Sequence, residues 1–227
     1  MKTTRPRQGR PRHTPPSDPN ASGREQILDA AGALFVEHGI AATSTRMIAE
    51  RVGIRQASLY YHFATKDEIL AELLATSVRP SLQMVDRVQA WVPERASAAA
   101  ALYAVAATDV RTLSRTPYNI GTLYLLPEVL AERFDTFRAD RDRLQRSYGA
   151  LGASAATEDV TGRMPPDRLG ELLIQLVEVV IQIRRTRDPE AADTDAIASS
   201  CLRLCGLGEP GVVAARDEAG VLLSRLA

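Results

Sequence analysis

Lysine is almost missing from this chain: Lys2 and Lys66 are the only two among 227 residues, while arginine and alanine abound. That bias reads as GC-rich coding and not as a structural demand. Cysteine is equally scarce. Cys201 and Cys205 lie four apart in one predicted helix, and no histidine or further cysteine stands near them in sequence. A disulfide would need closer geometry and a metal site more ligands, so the pair is expected as two small buried side chains, with no metal and no cofactor. Histidine is limited to His13, His38 and His62. No nucleophile–base–acid set, phosphate loop or metal motif accompanies them, so an enzyme is not expected. No apolar run approaches the ~18–20 residues of a membrane span. The basic N-terminus has no apolar stretch behind it and does not read as a signal peptide. A cytoplasmic protein without a membrane partner is expected.

A net charge is also lacking, because 28 Lys and Arg cancel 28 Asp and Glu. The cancellation hides a segregation. Residues 1–22 hold Lys2, Arg5, Arg7, Arg10 and Arg12 against Asp18, five minus one or +4, which leaves −4 for the remainder. A basic end on an acidic body is compatible with nucleic-acid contact through that end. What is present suffices for a core: 45% of residues are hydrophobic, and the length suits a small domain joined to a larger one. Residues 1–21 carry five prolines and the run RPRQGRPRH, which cannot make a regular element and predict a flexible basic arm.

Everything after the arm reads as helix with short breaks, and no convincing period-two stretch appears, so the fold class is all-α. Ser22-Gly23-Arg24-Glu25 is a capping box opening a first helix, with Ile27, Ala31, Leu34 and Phe35 on one face and Gly39 as its stop. A second helix is predicted from Thr45 to Val52 with Ser44 as cap, a third from Gln56 to Phe63, and a fourth from a second capping box, Thr65-Lys66-Asp67-Glu68. Beyond Pro80 the pattern predicts helices over 95–114, 119–125, 128–150, 167–187, 194–206 and 212–226. Breaks are expected at Pro93, Pro117, Pro127, Pro165-Pro166, Pro189 and Pro210, and a mobile loop over 151–166.

The informative stretch is 44–68, STRMIAERVGIRQASLYYHFATKDE. Two helices joined by a short turn need a small residue at their crossing, here Ala49, and a left-handed backbone at the turn, here Gly53. Ile48, Val52, Ile54 and Leu59 then lock the pair together as a helix-turn-helix. With Leu59 and Phe63 turned inward, Gln56, Ser58, Tyr60, Tyr61 and His62 face partly outward. That face has no acid, where a merely solvated surface would carry Glu and Lys. Amide, hydroxyl, phenol and imidazole groups hydrogen-bond base edges and phosphates without repelling the backbone, and Arg55 stands at the helix start, where a phosphate is favoured.

Residues 24–70 resemble the DNA-binding domain of the TetR family of bacterial transcriptional regulators. The resemblance rests on the run T-R-x-x-A-x-x-x-G-I, on Leu59-Tyr60-Tyr61-His62-Phe63, and on Lys66 followed by an acid and Leu70. It implies phosphate contacts, and in some members a base contact, for Thr45 and Arg46. It implies base reading by Gln56, Ala57 and Ser58, and phosphate and thymine-methyl contacts by Tyr60, Tyr61 and His62. Lys66 is implied as an anchor on the DNA backbone. The family often has Asp or Glu where Met47 stands, so the box of the second helix is incomplete.

In the larger half, helix 167–187 has the polar row Arg168, Glu171, Gln175, Glu178, Gln182 and Arg185 and is apolar nearly everywhere else. An arc that wide must bury two sides, one in its own bundle and one against a partner. The resemblance implies a homodimer built by this helix and the next, with Leu172, Leu176, Val180, Ile183, Ala198, Cys201 and Leu202 as candidate interface residues. It also implies a small-molecule effector held among the helices, for which Trp91, Tyr103, Tyr118, Tyr124, Phe134 and Phe137 are candidates. The expected organisation is an arm (1–21), a three-helix DNA-binding domain (22–68) and a helical ligand-binding and dimerisation domain (69–227). The expected function is a ligand-responsive repressor on a palindromic double-stranded operator, associated with the nucleoid when bound. An activator, a regulator without a ligand and a non-specific architectural DNA binder are the alternatives. Neither the effector nor the operator sequence is legible.

Overall fold

The computed structural model describes residues 21–115 and 118–226, apart from the side chains of 91–95 and 226. Residues 1–20 of the predicted arm, Pro117 and the Trp91 side chain therefore lie outside the described residues. Those described are helical or in turns, with no strand among them, and no helix is long and apolar enough to cross a membrane. They form two compact units that divide at Glu72–Leu73.

The first unit holds α1 (Gly23–His38), α2 (Thr45–Val52), α3 (Gln56–His62) and the start of α4 (Lys66–Arg95). Its caps are local. Ser22 Oγ accepts the Glu25 N–H at 3.3 Å and Glu25 Oε2 accepts the Ser22 N–H at 2.7 Å, closing the predicted box. Gly39 ends α1 at φ +84°. The Ser44 hydroxyl accepts the Met47 N–H, so the α2 cap is half a box. At the head of α4 the Thr65 hydroxyl caps Glu68 as predicted, but the Glu68 carboxylate reaches one residue further back, to the Ala64 N–H at 2.8 Å. Ile27, Ala31, Leu34 and Phe35 are buried with Ile48, Ala49, Val52, Leu59 and Phe63, while Ile54 is only half-buried. Gly53 adopts φ +76°, ψ +30°, and the Ile54 N–H returns to the Ala49 carbonyl at 3.0 Å. That is the left-handed stop the helix-turn-helix needs.

The second unit contains the rest of α4, α5 (Ala98–Arg115), three short 3-10 turns (Ile120–Leu123, Pro127–Leu130 and Glu132–Phe134), and α6 (Asp135–Ala155). It continues through α7 (Glu158–Thr161), α8 (Pro166–Ile183), α9 (Ala191–Leu204) and α10 (Glu209–Leu226). Every residue from Ala100 to Ala107 on α5 is buried, because α6, α8, α9 and α10 all pack on it. Small side chains let four neighbours share one helix.

The break predicted at Pro93 is overturned. α4 runs through Pro80 and Pro93 to Arg95. A proline inside a helix costs about 3 kcal/mol, but Val78, Leu82, Val85 and Val88 are buried on either side of Pro80, and each returns about 1.5–3 kcal/mol. Pro166 and Pro210 sit in first turns, where the missing N–H has no helical acceptor anyway. The helix expected over 119–125 and the first turns of the one expected over 128–150 are 3-10 turns, and the α-helix there begins only at Asp135. The loop expected over 151–166 is helical through Ala155 and again over α7. Gly152 within it, and Gly149 and Gly170 on either side, are packing devices. A Cβ on Gly152 would lie 2.6 Å from Leu173 Cδ1, one on Gly149 2.5 Å from the Pro166 carbonyl oxygen, and one on Gly170 2.5 Å from that of Gln145. α6 and α8 thus approach backbone to backbone.

Candidate nucleic-acid interface

α3 presents Gln56, Ala57, Ser58, Tyr60, Tyr61 and His62 outward, with Tyr61 88% exposed and Tyr60 48%. Leu59 is its buried side chain, and with Phe63 just past its end it anchors the seven-residue helix beside the turn at Gly53. Thr45 from the first turn of α2 joins this face. Gln56 Nε2 lies 3.0 Å from Thr45 Oγ1 and 3.3 Å from the Tyr60 hydroxyl, and the two hydroxyls are 3.1 Å apart. Side chains from two helices are therefore set relative to each other before any ligand arrives. Arg55 is exposed at the head of α3, and no side chain caps that end, so the free N–H groups there can bind an anion. The Tyr61 and His62 rings meet edge to face at 5.4 Å. A Cβ on Gly23 would lie 3.0 Å from His62 Nε2, so the imidazole rests against the start of α1.

Two further predicted contact residues are engaged by their own chain. Arg46 Nε donates to Glu50 Oε1 at 2.8 Å, one turn along α2, and this pair raises its pKa. The pair is exposed and thus weak enough to exchange for a phosphate. Lys66 is different. Its Nζ donates to the Ile40 and Thr43 carbonyl oxygens at 2.7 and 2.8 Å, and it is half-buried. The Thr43 hydroxyl, itself buried, lies 2.8 Å from the Gly39 carbonyl and 3.2 Å from that of Leu34. Lysine and threonine together close the loop between α1 and α2.

In the second unit the aromatic candidates are mostly core. Tyr103 donates its hydroxyl to Asp195 Oδ1 at 2.7 Å, linking α5 to α9. Tyr124 donates to Ser77 Oγ at 2.6 Å, packs on Phe137 at 5.2 Å and lies under the Arg141 guanidinium at 4.5 Å. Phe134 is buried too, and Tyr118 is half-buried. Of the interface candidates, Val180, Ala198, Cys201 and Leu202 are wholly enclosed within this chain, at 0% exposure. A residue with no surface left cannot touch a second copy, so these four are corrected to core positions, spent where α9 packs on α5 and α8. Leu172, Leu176 and Ile183 are half-buried, and Val179, 42% exposed, continues their stripe.

Cys201 and Cys205 are free and buried, and burial pushes their thiols up to about 12 and about 11. A polar centre went unread in the sequence. Asp109 of α5 is 4% exposed and accepts from Ser81 Oγ of α4 at 2.9 Å and from the Tyr148 hydroxyl of α6 at 3.0 Å. Arg141 and Glu178 pair beside it. Burial raises the Asp109 carboxyl to about 6, against the pull of its two hydroxyl donors. One acid inside an alanine-rich helix was its only signal.

A profile of bacterial regulatory proteins of the tetR family matches residues 27–73. The HTH-type transcriptional repressor KstR2 of Mycobacterium tuberculosis is 49% identical over 53 residues, covering 23% of this chain and 26% of that protein. The chain thus matches about a quarter of the length of the curated relatives of that name in Mycobacterium tuberculosis. The crystal structure of Mycobacterium smegmatis AmtR is 38% identical, with a TM-score of 0.77, over 91% of this chain and 97% of that one. The ketosteroid regulator KstR2 of Mycobacterium tuberculosis, at 20% identity and TM-score 0.64 over 82% of this chain and 94% of that one, shares the fold. With its N-terminal helix-turn-helix and helical second unit, this chain belongs to the TetR family of transcriptional regulators.

Proposed function

We propose that this protein is a ligand-responsive transcriptional repressor that binds a palindromic operator as a homodimer. The observation that carries this reading is the outward face of α3: six residues without an acid, aligned with Thr45 and headed by Arg55. Such a face suits the major groove, where hydroxyls and the helix start take phosphates and Gln56, Ala57 and Ser58 meet base edges. A curated repressor, KstR2, is 49% identical over 53 residues, which supports repression over activation. The stripe Leu172, Leu176, Val179 and Ile183 on α8 supports pairing with a second copy. The buried polar centre of Asp109, Tyr148, Ser81, Arg141 and Glu178 is the region to which a small effector with polar groups would couple. Effector binding would then change the spacing of two recognition helices and weaken operator affinity. Such a protein acts in the cytoplasm, on the nucleoid when bound, and without catalysis. The test is selection of bound sites from a random duplex pool at about 150 mM salt. A two-half palindrome is expected, whereas sequence-indifferent retention would support the architectural reading. For the basic arm, deleting 1–21 is expected to flatten the salt dependence of binding by about 0.9 for each phosphate the arm had neutralised.

A further inference from the structure

Gln56 reaches the recognition face with part of its hydrogen-bonding capacity already used. Its Nε2, Thr45 Oγ1 and the Tyr60 hydroxyl form a closed triangle with sides of 3.0, 3.1 and 3.3 Å. A primary amide supplies two protons and each hydroxyl one. With Nε2 in the triangle, its protons go to the two hydroxyl oxygens and one hydroxyl proton bridges the hydroxyls, so every side has a proton. If the amide were turned over, only the two hydroxyl protons would be left to serve three sides, and one side would set oxygen against oxygen with none between. Proton counting therefore fixes Nε2 inward and Oε1 outward. One hydroxyl proton is left over for a phosphate oxygen.

In the major groove adenine and cytosine offer amine donors, at N6 and N4, while guanine and thymine offer acceptors at O6 and O4. A free glutamine reads adenine with two bonds, Oε1 to N6 and Nε2 to N7. In this chain the amide N–H groups are occupied by Thr45 and Tyr60. We propose that Gln56 is a specificity-determining residue that reads its base through Oε1 alone, selecting adenine or cytosine and rejecting guanine and thymine. This rests on the proposed placement of α3 in the major groove. Rejection follows because Oε1 facing O6 or O4 leaves two acceptors desolvated without a proton.

The test compares sites selected from a random duplex pool by the full-length protein, by Gln56→Ala and by Tyr60→Phe. The position read by Gln56 is the one whose preference disappears in Gln56→Ala. In the wild type that position is expected to hold adenine or cytosine, with guanine and thymine depleted about tenfold. Tyr60→Phe releases one N–H, which adenine N7 can accept and cytosine cannot, so adenine should gain on cytosine roughly fivefold. Each comparison is made within one variant, so a uniform loss of affinity from the missing phenol leaves it intact. Guanine or thymine at that position in the wild type overturns the proposal. So does a ratio of adenine to cytosine that Tyr60→Phe leaves unchanged, or a Gln56→Ala selection identical to the wild type. If the wild type enriches no sequence at all, the sequence-specific reading itself fails, and this proposal with it.

Discussion

Lys66 Nζ lies 2.7 and 2.8 Å from two loop carbonyls, so removing the ammonium strands both of them. Bonds to a charged group contribute about 1.5–3 kcal/mol, and Lys66→Met is expected to lower the stability of the first unit by an amount in that range. A thermal melt of the variant checks this. An unchanged midpoint with weaker operator binding would return Lys66 to the role of a DNA anchor. Gly53 is a second single-residue device. At φ +76° a Cβ meets the following carbonyl, so Gly53→Ala is expected to cost about 1–2 kcal/mol, read by denaturant unfolding. Both residues matter through backbone they hold in place, not through surface they present.

Among elements, the crossing of α6 and α8 leaves no room for added atoms. A methyl at Gly149 would come within 2.5 Å of backbone oxygen that no rotamer change can move. Gly149→Ala is therefore expected to destabilise the second unit by about 1–3 kcal/mol. Gly220 of α10 has nothing within 4 Å of its would-be Cβ, and Gly220→Ala should instead stabilise by about 0.5–1 kcal/mol. Paired denaturant curves decide it, and equal effects from the two would mean that helix propensity, not the crossing, governs. α4 carries the opposite kind of exception. Its interior Pro80 is retained where flanking apolar burial outweighs a lost backbone bond.

At the scale of the whole molecule, the buried acid ties stability to pH. An unfolded aspartate titrates near ~4, whereas the folded Asp109 carboxyl titrates at about 6. Below pH ~4 both states are protonated and burial carries no ionisation penalty. Between the two values the unfolded chain has released its proton and the folded one still holds it, so stability falls as pH rises. The loss is complete above about 6 and amounts to about 3 kcal/mol. Asp193 works the other way. Hydrogen bonds from Arg187, then from the Glu190 backbone, hold it down to about 2, so its contribution is present above pH ~4 and lost as pH falls through about 2. Unfolding free energies of the wild type and Asp109→Asn across a pH series should converge at low pH and part between ~4 and ~6; parallel curves would show that the carboxyl is not perturbed. Assembly is testable at the same scale. Val179→Asp, at an exposed position on the α8 stripe, is expected to yield monomers in sedimentation and to lose operator binding, with helical content retained.

What the sequence by itself determined is whatever closes within a few residues. The Ser22–Glu25 box, the Ser44 cap and the stops at Gly39 and Gly53 each join groups no more than five residues apart. The acid-free face of α3 follows from helical spacing once Leu59 and Phe63 are turned inward. Only the tertiary structure decided what lies across a longer span. Lys66 finds its acceptors 23 and 26 residues away, and Asp109 meets Ser81 and Tyr148 across 28 and 39. The same holds for the two enclosed sides of α9 and for the close approach that keeps residues 151–155 helical. A side chain's type says what it can bond, but which partner it meets depends on packing that no local pattern encodes.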